Sequence, residues 1–260
     1  MTESLSKIIA ETLSSGIEPL HRTYLGIYDG YGDVPVAYLT ETEVFTSVSG
    51  VVADYKKAID GNEVGKRFSL SCISNAVRTL ERLNEKDRQV SFITADVMSS
   101  FLRGNVASDI KSVVKDDTDL SKVCLMTDED ILVRGGEKAA DGIADLRGMG
   151  FSVAVRSFNG EQSLSALMKI PVNYVFLSPE MTALSRSRNK SGLFTALTGL
   201  LRSLRIDAVL CGVEDDDAIR DATAAECFGI MPSNGYAGQF KFRKGAAALN
   251  EILSDGDKVL

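Results

Sequence analysis

Residues 148–178 read GMGFSVAVRSFNGEQSLSALMKIPVNYVFLS, and this stretch decides the fold prediction. It begins with an apolar run at residues 151–155, continues through a polar turn and a helical pattern at residues 163–169, and ends in a second apolar run at residues 174–177. A strand, a helix and a strand in this order predict a βαβ unit with parallel strands.

The same alternation extends along most of the chain. The other apolar runs lie at residues 90–94, 123–126, 208–211 and, more weakly, 228–231, and the helical patterns between them lie at residues 95–114, 136–149, 189–204 and 216–227. Strands that recur every 25 to 35 residues or so, each followed by a helix, are typical of repeated βαβ units. We therefore predict an α/β fold, a modified (β/α)8 TIM-type barrel rather than an open sheet, with any active site at the carboxyl ends of the strands.

The first part of the chain differs from this regular pattern. It predicts a helix at residues 2–15, a hairpin at residues 24–40 around the turn-rich residues 29–33, and helices at residues 44–58 and 69–83. No segment has the composition of a linker. We expect a single barrel domain over residues 1–260, with residues 1–20 as an N-terminal helix and entry segment.

Charge and hydropathy exclude several classes of partner. The 260 residues include 36 acidic and 29 basic ones, for a net charge of -7, which argues against nucleic acid or an anionic membrane as the main partner. The N-terminus does not resemble a signal peptide, and no apolar run is long enough to span a membrane. With four scattered cysteines that fit reduced, buried thiols, the sequence predicts a cytoplasmic protein.

Residues that could carry catalysis are few. The single histidine, His21, rules out a two-histidine metal site within the chain and has no nucleophile motif near it, so we interpret it as a surface or turn residue. The predicted strand ends carry only Asp128, Arg156 and Glu214, too few carboxylates to hold a pair of divalent ions.

Several of these strands resemble the EAL domain, the bacterial cyclic-di-GMP phosphodiesterase family. Residues 148–178 resemble the family's D-D-F-G-T-G-Y-S-S-L and L-P-V-D-x-L-K-I-D motifs, and LCGVE at residues 210–214 resembles A-E-G-V-E. Upstream, LMTD at residues 125–128 resembles E-I-T-E, and VSFITA at residues 90–95 resembles I-S-V-N-L-S. The order and spacing of the motifs hold over roughly residues 85–245, so the resemblance implies the same barrel fold.

The departures from the family are concentrated at its chemical positions. By this resemblance the family's metal-binding Glu falls on Leu39, its Asn ligand on Ile93 and the first Glu of E-I-T-E on Leu125. The two metal-binding Asp fall on Arg156 and Ser157. The catalytic Lys falls on Phe176, the Asp after it on Ser178, and the Glu of E-G-V-E on Cys211. The family's phosphate-contacting Arg falls near Glu43. We expect Leu39, Ile93, Leu125 and Phe176 to fill the mouth of the barrel with apolar packing.

The resemblance, read with these replacements, implies a degenerate EAL domain without phosphodiesterase activity, metal or cofactor. The expected role is regulation or scaffolding through unidentified protein partners, in bacterial cyclic-di-GMP-related signalling of motility or surface attachment, with a homodimer left open. The alternative is a metal-independent cyclic-di-GMP receptor, whose residual pocket would comprise Asp128, Arg156, Glu214 and Asn234. A third hypothesis is another kind of barrel enzyme that uses Asp128, Glu214 or Cys211.

Overall fold

The structure is a computed structural model that describes residues 6–11, 20–30, 32, 34–46, 50–52, 55–61, 63–104, 106–115, 118–159, 164–185 and 191–233. The strands of this part of the chain are β1 (Leu20–Ile27), β2 (Ala37–Thr46), β3 (Gly50–Val52), β4 (Ile93–Asp96), β5 (Val123–Asp128), β6 (Ser152–Phe158), β7 (Tyr174–Leu177), β8 (Asp207–Val213) and β9 (Gly229–Pro232). The α-helices are α1 (6–11), α2 (Tyr55–Ile59), α3 (Glu63–Glu85), α4 (Ser99–Leu102), α5 (Ala107–Val113), α6 (Asp130–Arg134), α7 (Gly136–Gly148), α8 (Leu164–Leu167), α9 (Pro179–Ser185), α10 (Ser191–Ser203) and α11 (Asp216–Ala224).

Eight of the strands form a nearly closed barrel in the order β1-β2-β4-β5-β6-β7-β8-β9, while β3 pairs with β2 outside this path. β1 and β2 are antiparallel, and every neighbouring pair from β2–β4 to β8–β9 is parallel. Two backbone hydrogen bonds between Tyr28 and Ile230, of 2.9 and 2.8 Å, join the two edges. The predicted modified (β/α)8 barrel is therefore confirmed.

Strand alternation divides the apolar core into two clusters. An outer cluster lies between the strands and the helices, and an inner cluster fills the barrel. The fully buried members of the inner cluster are Ile27, Ala37, Leu39, Phe92, Cys124, Met126, Ala154, Phe176, Val209 and Met231. Near the amino ends of the strands, the rings of Phe92, Tyr174 and Phe228 pack with centroids 4.6 to 5.4 Å apart. These apolar rings fill one end of the interior, and the buried charged residues of the described ranges, Asp96 and Glu129, lie at the opposite, carboxyl ends of the strands.

Two predicted helices are wrong in part. The predicted hairpin is confirmed by the antiparallel pairing of β1 with β2, but β2 extends to Thr46 and β3 follows, so only Tyr55–Ile59 of the predicted helix at residues 44–58 is helical. The β-branched and aromatic residues of this stretch favour strands, and residues 44–46 pair antiparallel with residues 50–52. The predicted helix at residues 95–114 instead begins as the end of β4 and continues as α4 and α5, which are separated near Gly104.

At the N-terminus, residues 6–11 are helical, and most of the remaining predicted entry segment at residues 1–20 lies outside the described residues. α3 is longer than its predicted 69–83, and α6 and α9 carried no prediction. None of the described helices is long and apolar enough to cross a membrane.

Candidate functional site

Four charged side chains meet at the carboxyl ends of the barrel strands, and we call them the charged cluster: Lys56, Asp96, Asp128 and Arg156. Asp96 and Asp128 are the last residues of β4 and β5, and Arg156 lies near the end of β6. Lys56 belongs to the short helix α2, which follows β3. The cluster thus occupies the end of the barrel at which TIM-type enzymes carry their active sites.

Arg156 is the centre of the charged cluster. Its Nη2 donates to Oδ1 of Asp96, and its Nε lies 3.1 Å from Oδ1 of Asp128. Nζ of Lys56 lies 3.6 Å from Oδ2 of Asp96 and 3.8 Å from Oδ1 of Asp128. Nε of Arg156 and Oδ2 of Asp96 are buried without a well-aligned hydrogen bond, so these longer contacts are ion pairs only. Two cations and two anions make the cluster formally neutral.

Burial makes this compensation necessary. The side chain of Asp96 is 1% exposed and that of Arg156 is 20% exposed, whereas Asp128 is half exposed. Burial lowers the pKa of Lys56 to about 8, the nearby Arg156 lowers it as well, and Asp128 opposes both effects. Burial also lowers the pKa of Arg156, although a guanidinium remains charged at physiological pH. An ionised Asp96 would be very costly here without the two cations.

The structure corrects two of the residues assigned to the barrel mouth. Leu39 and Phe176 belong to the inner cluster, as expected, but Ile93 and Leu125 belong to the outer cluster. The expectation that Ile93 and Leu125 fill the mouth is wrong because successive residues of a strand point to opposite faces. The residues on the inward face of β4 and β5 at this level are Thr94 and Met126.

The other assigned positions lie apart from the charged cluster. Ser157 is exposed with a left-handed φ of 55°, where the pairing of β6 with β7 is irregular. Ser178 is buried after β7, and its amide donates to the carbonyl of Phe158 at 2.9 Å. Sγ of Cys211 lies 3.9 Å from Sδ of Met231, and burial raises the pKa of this thiol to about 12.

Only part of the predicted residual pocket comes together. Asp128 and Arg156 are in contact, whereas Glu214 is exposed after β8 and does not belong to the charged cluster. Asn234 lies outside the described residues. His21, interpreted as a surface or turn residue, is an exposed residue of β1, with Nδ1 3.8 Å from Oε2 of Glu43.

The sequence did not predict Lys56 or Asp96 as residues of the site. The alternation of β4 could have revealed Asp96, because inward-facing Phe92 places residues 94 and 96 on the same face. Lys56 had no such signal, because residues 44–58 were interpreted as one helix, whereas Lys56 lies in the short helix α2 that follows strand β3. Glu129 was also missed: this buried carboxylate lies after Asp128, and its Oε2 accepts a 3.4 Å hydrogen bond from the amide of Asn159 beyond β6.

The donors at the mouth do not fit the metal site of EAL phosphodiesterases. Within the described ranges, no group of three or more His, Cys, Asp or Glu side chains is placed to hold a metal ion. The carboxylates of Asp96 and Asp128 both contact Arg156, whose positive charge would repel a divalent ion at the same place. A pair of divalent ions needs several shared carboxylates that are free to coordinate.

Comparisons with known proteins give one family. The family model described as EAL domain matches residues 47–231. The structure of the EAL enzyme Bd1971 with cAMP and cyclic-di-GMP bound has a TM-score of 0.77 and 11% identity, covering 95% of this chain and 69% of that one. The PaMucR phosphodiesterase in complex with c-di-GMP has a TM-score of 0.72 and 15% identity, covering 91% and 96%.

The FimX EAL domain from Pseudomonas aeruginosa bound to c-di-GMP is similar as well, with a TM-score of 0.71 and 13% identity over 90% of this chain and 95% of that one. At these identities the structural likeness establishes the fold alone. Among curated protein sequences, none matches significantly.

Proposed function

We propose that this chain, which belongs to the EAL domain family, does not hydrolyse cyclic-di-GMP and acts instead through protein partners. One observation carries the proposal: Arg156 bonds to Asp96 and contacts Asp128 at the mouth of the barrel. Hydrolysis in the family needs metal ions, which generate hydroxide from water and stabilise charge on the phosphodiester oxygens. The guanidinium of Arg156 can stabilise charge on the phosphodiester oxygens, but it cannot generate hydroxide because it does not coordinate a water molecule.

The remaining groups of the mouth do not replace the missing base. By the motif resemblance the family's catalytic Lys falls on Phe176, and this side chain is buried in the inner cluster. Lys56 places an amine at the mouth, but with a pKa of about 8 this amine is mostly protonated at neutral pH. It also lies between the carboxylates of Asp96 and Asp128. A protonated amine cannot take a proton from an attacking water.

A domain that keeps the fold and loses the chemistry can still act through its surface. We place this chain in cyclic-di-GMP-related signalling in the bacterial cytoplasm, in a regulatory or scaffolding role, and this assignment rests on family membership. Incubation with cyclic-di-GMP and Mg²⁺ or Mn²⁺ tests the loss of activity. We expect no linear dinucleotide above a protein-free blank, and measurable turnover would contradict the proposal.

A second candidate is a metal-independent cyclic-di-GMP receptor. Lys56 and Arg156 favour it, because they are cations at the mouth and a guanidinium pairs well with phosphate. The three similar structures named above contain bound nucleotide. It is less favoured because a phosphate would have to displace Asp96 or Asp128 from Arg156.

Calorimetric titration with cyclic-di-GMP in the presence of a chelator separates the two candidates. Micromolar binding that weakens in the conservative variants Arg156→Lys and Lys56→Gln would establish the receptor. Absence of binding at hundreds of micromolar, with both variants folded, supports action through protein partners alone.

A further inference from the structure

A cavity of about 300 Å³ lies at the amino ends of the strands, opposite to the charged cluster. It forms where the end of α7 meets the segments that lead into β7 and β8. Its walls include the buried Leu167, Ile170, Val172 and Ile206. Met168 at its rim is 71% exposed, one of the most exposed large apolar side chains of the described residues.

Two arginines, Arg147 and Arg205, complete the lining. Nη1 of Arg147 donates to the carbonyl of Pro171 at 3.1 Å, and Arg205 follows α10 with a left-handed φ of 59°. Neither side chain forms an ion pair with a carboxylate in the part of the chain that the structure describes. In a protein with a net charge of -7, two guanidiniums without a carboxylate partner among the described residues thus flank one cavity.

We propose that this cavity docks a segment of a partner protein that inserts one large apolar side chain and places carboxylates against Arg147 and Arg205. The volume lies at the lower end of the range for binding pockets, which suits a single Leu, Met or Phe side chain better than a large cofactor. Arginine is enriched at interaction hot spots and pairs with carboxylates through two donors at once. Seven of the nine lining residues are apolar and only two are cationic. This lining favours a peptide over a nucleic acid, which would need an extended basic surface.

This inference rests on the proposed function and deepens it by locating the partner surface. An acidic partner at the mouth of the barrel would have to displace an internal carboxylate, because the two cations there already contact Asp96 and Asp128. Arg147 and Arg205 have no such internal partner among the described residues. Docking at the amino ends of the strands also requires no change at the mouth, so binding and the lack of hydrolysis are physically independent.

A random peptide library displayed on phage, selected against the full chain, tests the proposal. We expect enriched peptides to share one large apolar residue next to Asp or Glu. A synthetic peptide of the consensus should bind at least about tenfold more weakly to the double variant Arg147→Glu with Arg205→Glu. The matched control reverses two other exposed arginines, Arg78→Glu with Arg134→Glu, and changes the net charge equally.

Arg147 also donates to the carbonyl of Pro171, so its replacement could alter the fold as well as the binding surface. Arg205→Glu alone is therefore the second variant, and it should weaken peptide binding without altering the fold. The proposal is overturned if no peptide is enriched, if the consensus is basic, or if both double variants bind equally. It is also overturned if the Arg147–Arg205 variant dissociates a dimer in size-exclusion chromatography, since the occupant would then be a second copy. Peptide binding by a chain that hydrolyses cyclic-di-GMP would instead contradict only the proposed function.

Discussion

Arg156 on β6 donates to Asp96 on β4 across the intervening strand β5, at the mouth of the barrel. Both side chains are largely buried, and Lys56 and Asp128 complete the neutralisation. The place at which a divalent ion would need free carboxylates is thus occupied by a cation that belongs to the chain.

The first prediction concerns the cost of breaking this pair. Arg156→Met leaves the buried Asp96 without its main cation, so we expect a loss of about 3–5 kcal/mol in the free energy of unfolding. Asp96→Asn should also destabilise, because Arg156 loses its buried partner. The double variant should lose less than the sum of the single ones, measured by urea denaturation. Strict additivity would mean that the two side chains are not coupled.

The second prediction concerns the pH dependence that Lys56 introduces. Its folded-state pKa, lowered to about 8, lies below the ordinary lysine value of 10.5 that applies to the unfolded chain, so the charged amine destabilises the folded state. This penalty is fully present below about pH 8 and disappears as the pH rises towards 10.5. At about 1.4 kcal/mol per pKa unit, the natural chain should therefore gain roughly 2–3 kcal/mol of stability relative to Lys56→Met between pH 7 and pH 10.

The measurement is the difference in the free energy of unfolding between Lys56→Met and the natural chain at pH 7 to 10. Taking a difference matters because the raised pKa values of buried thiols and phenols, such as Cys124 and Tyr28, also alter stability in this range. We expect the natural chain to gain stability relative to Lys56→Met as the pH rises. A relative stability that stays constant or falls would show that burial does not dominate the ionisation of Lys56.

The third prediction is that Cys211 is not a nucleophile. Burial raises the pKa of its thiol to about 12, so at pH 8 only about one molecule in ten thousand carries the thiolate. Ellman's reagent should therefore modify the native protein far more slowly than it modifies the chain in urea, where all four cysteines react. Fast, stoichiometric labelling of Cys211 in the native state would revive the hypothesis of a thiol-dependent barrel enzyme.

The fourth prediction is that divalent ions do not stabilise the fold. A ligand that binds only the folded state raises its stability by an amount that grows with concentration over Kd. With Asp96 and Asp128 paired to cations, we expect about 5 mM Mg²⁺ or Mn²⁺ to change Tm by less than about 1 °C. A rise of several degrees that disappears in Asp128→Asn would indicate a metal site at the mouth.

The barrel could be predicted from sequence because its strands are short apolar runs at regular spacing, and the run from Tyr174 to Leu177 is strand β7 as predicted. Comparison with the EAL motifs also predicted that Arg156 stands in place of a metal-binding Asp at the mouth of the barrel. The direction in which individual side chains point was harder to predict in β5, where residues 123–126 are apolar on both faces and no alternation separates Leu125 from Met126. In β4 the alternation of apolar and polar residues does separate Ile93 from Thr94, but the motif comparison did not take it into account.

The partners of Arg156 depended on tertiary structure. Asp96 lies 60 residues before Arg156, and Lys56 reaches the mouth through the extra strand β3. No local pattern encodes such a meeting of side chains. The cavity at the opposite end could not be predicted from the sequence for the same reason. Arg147 lies near the end of α7 and Arg205 just after α10, and the two line one cavity only in the folded barrel, in which β7 pairs with β8.

The most direct test of the central claim is hydrolysis of cyclic-di-GMP, followed by chromatography of the products, with the purified chain at high enzyme concentration. The assay uses about 10 mM Mg²⁺ or Mn²⁺ at several pH values, with an active EAL phosphodiesterase as positive control. We predict no linear dinucleotide above the blank at any pH. Turnover that depends on the added metal and is lost in Asp96→Asn or Asp128→Asn would contradict the account.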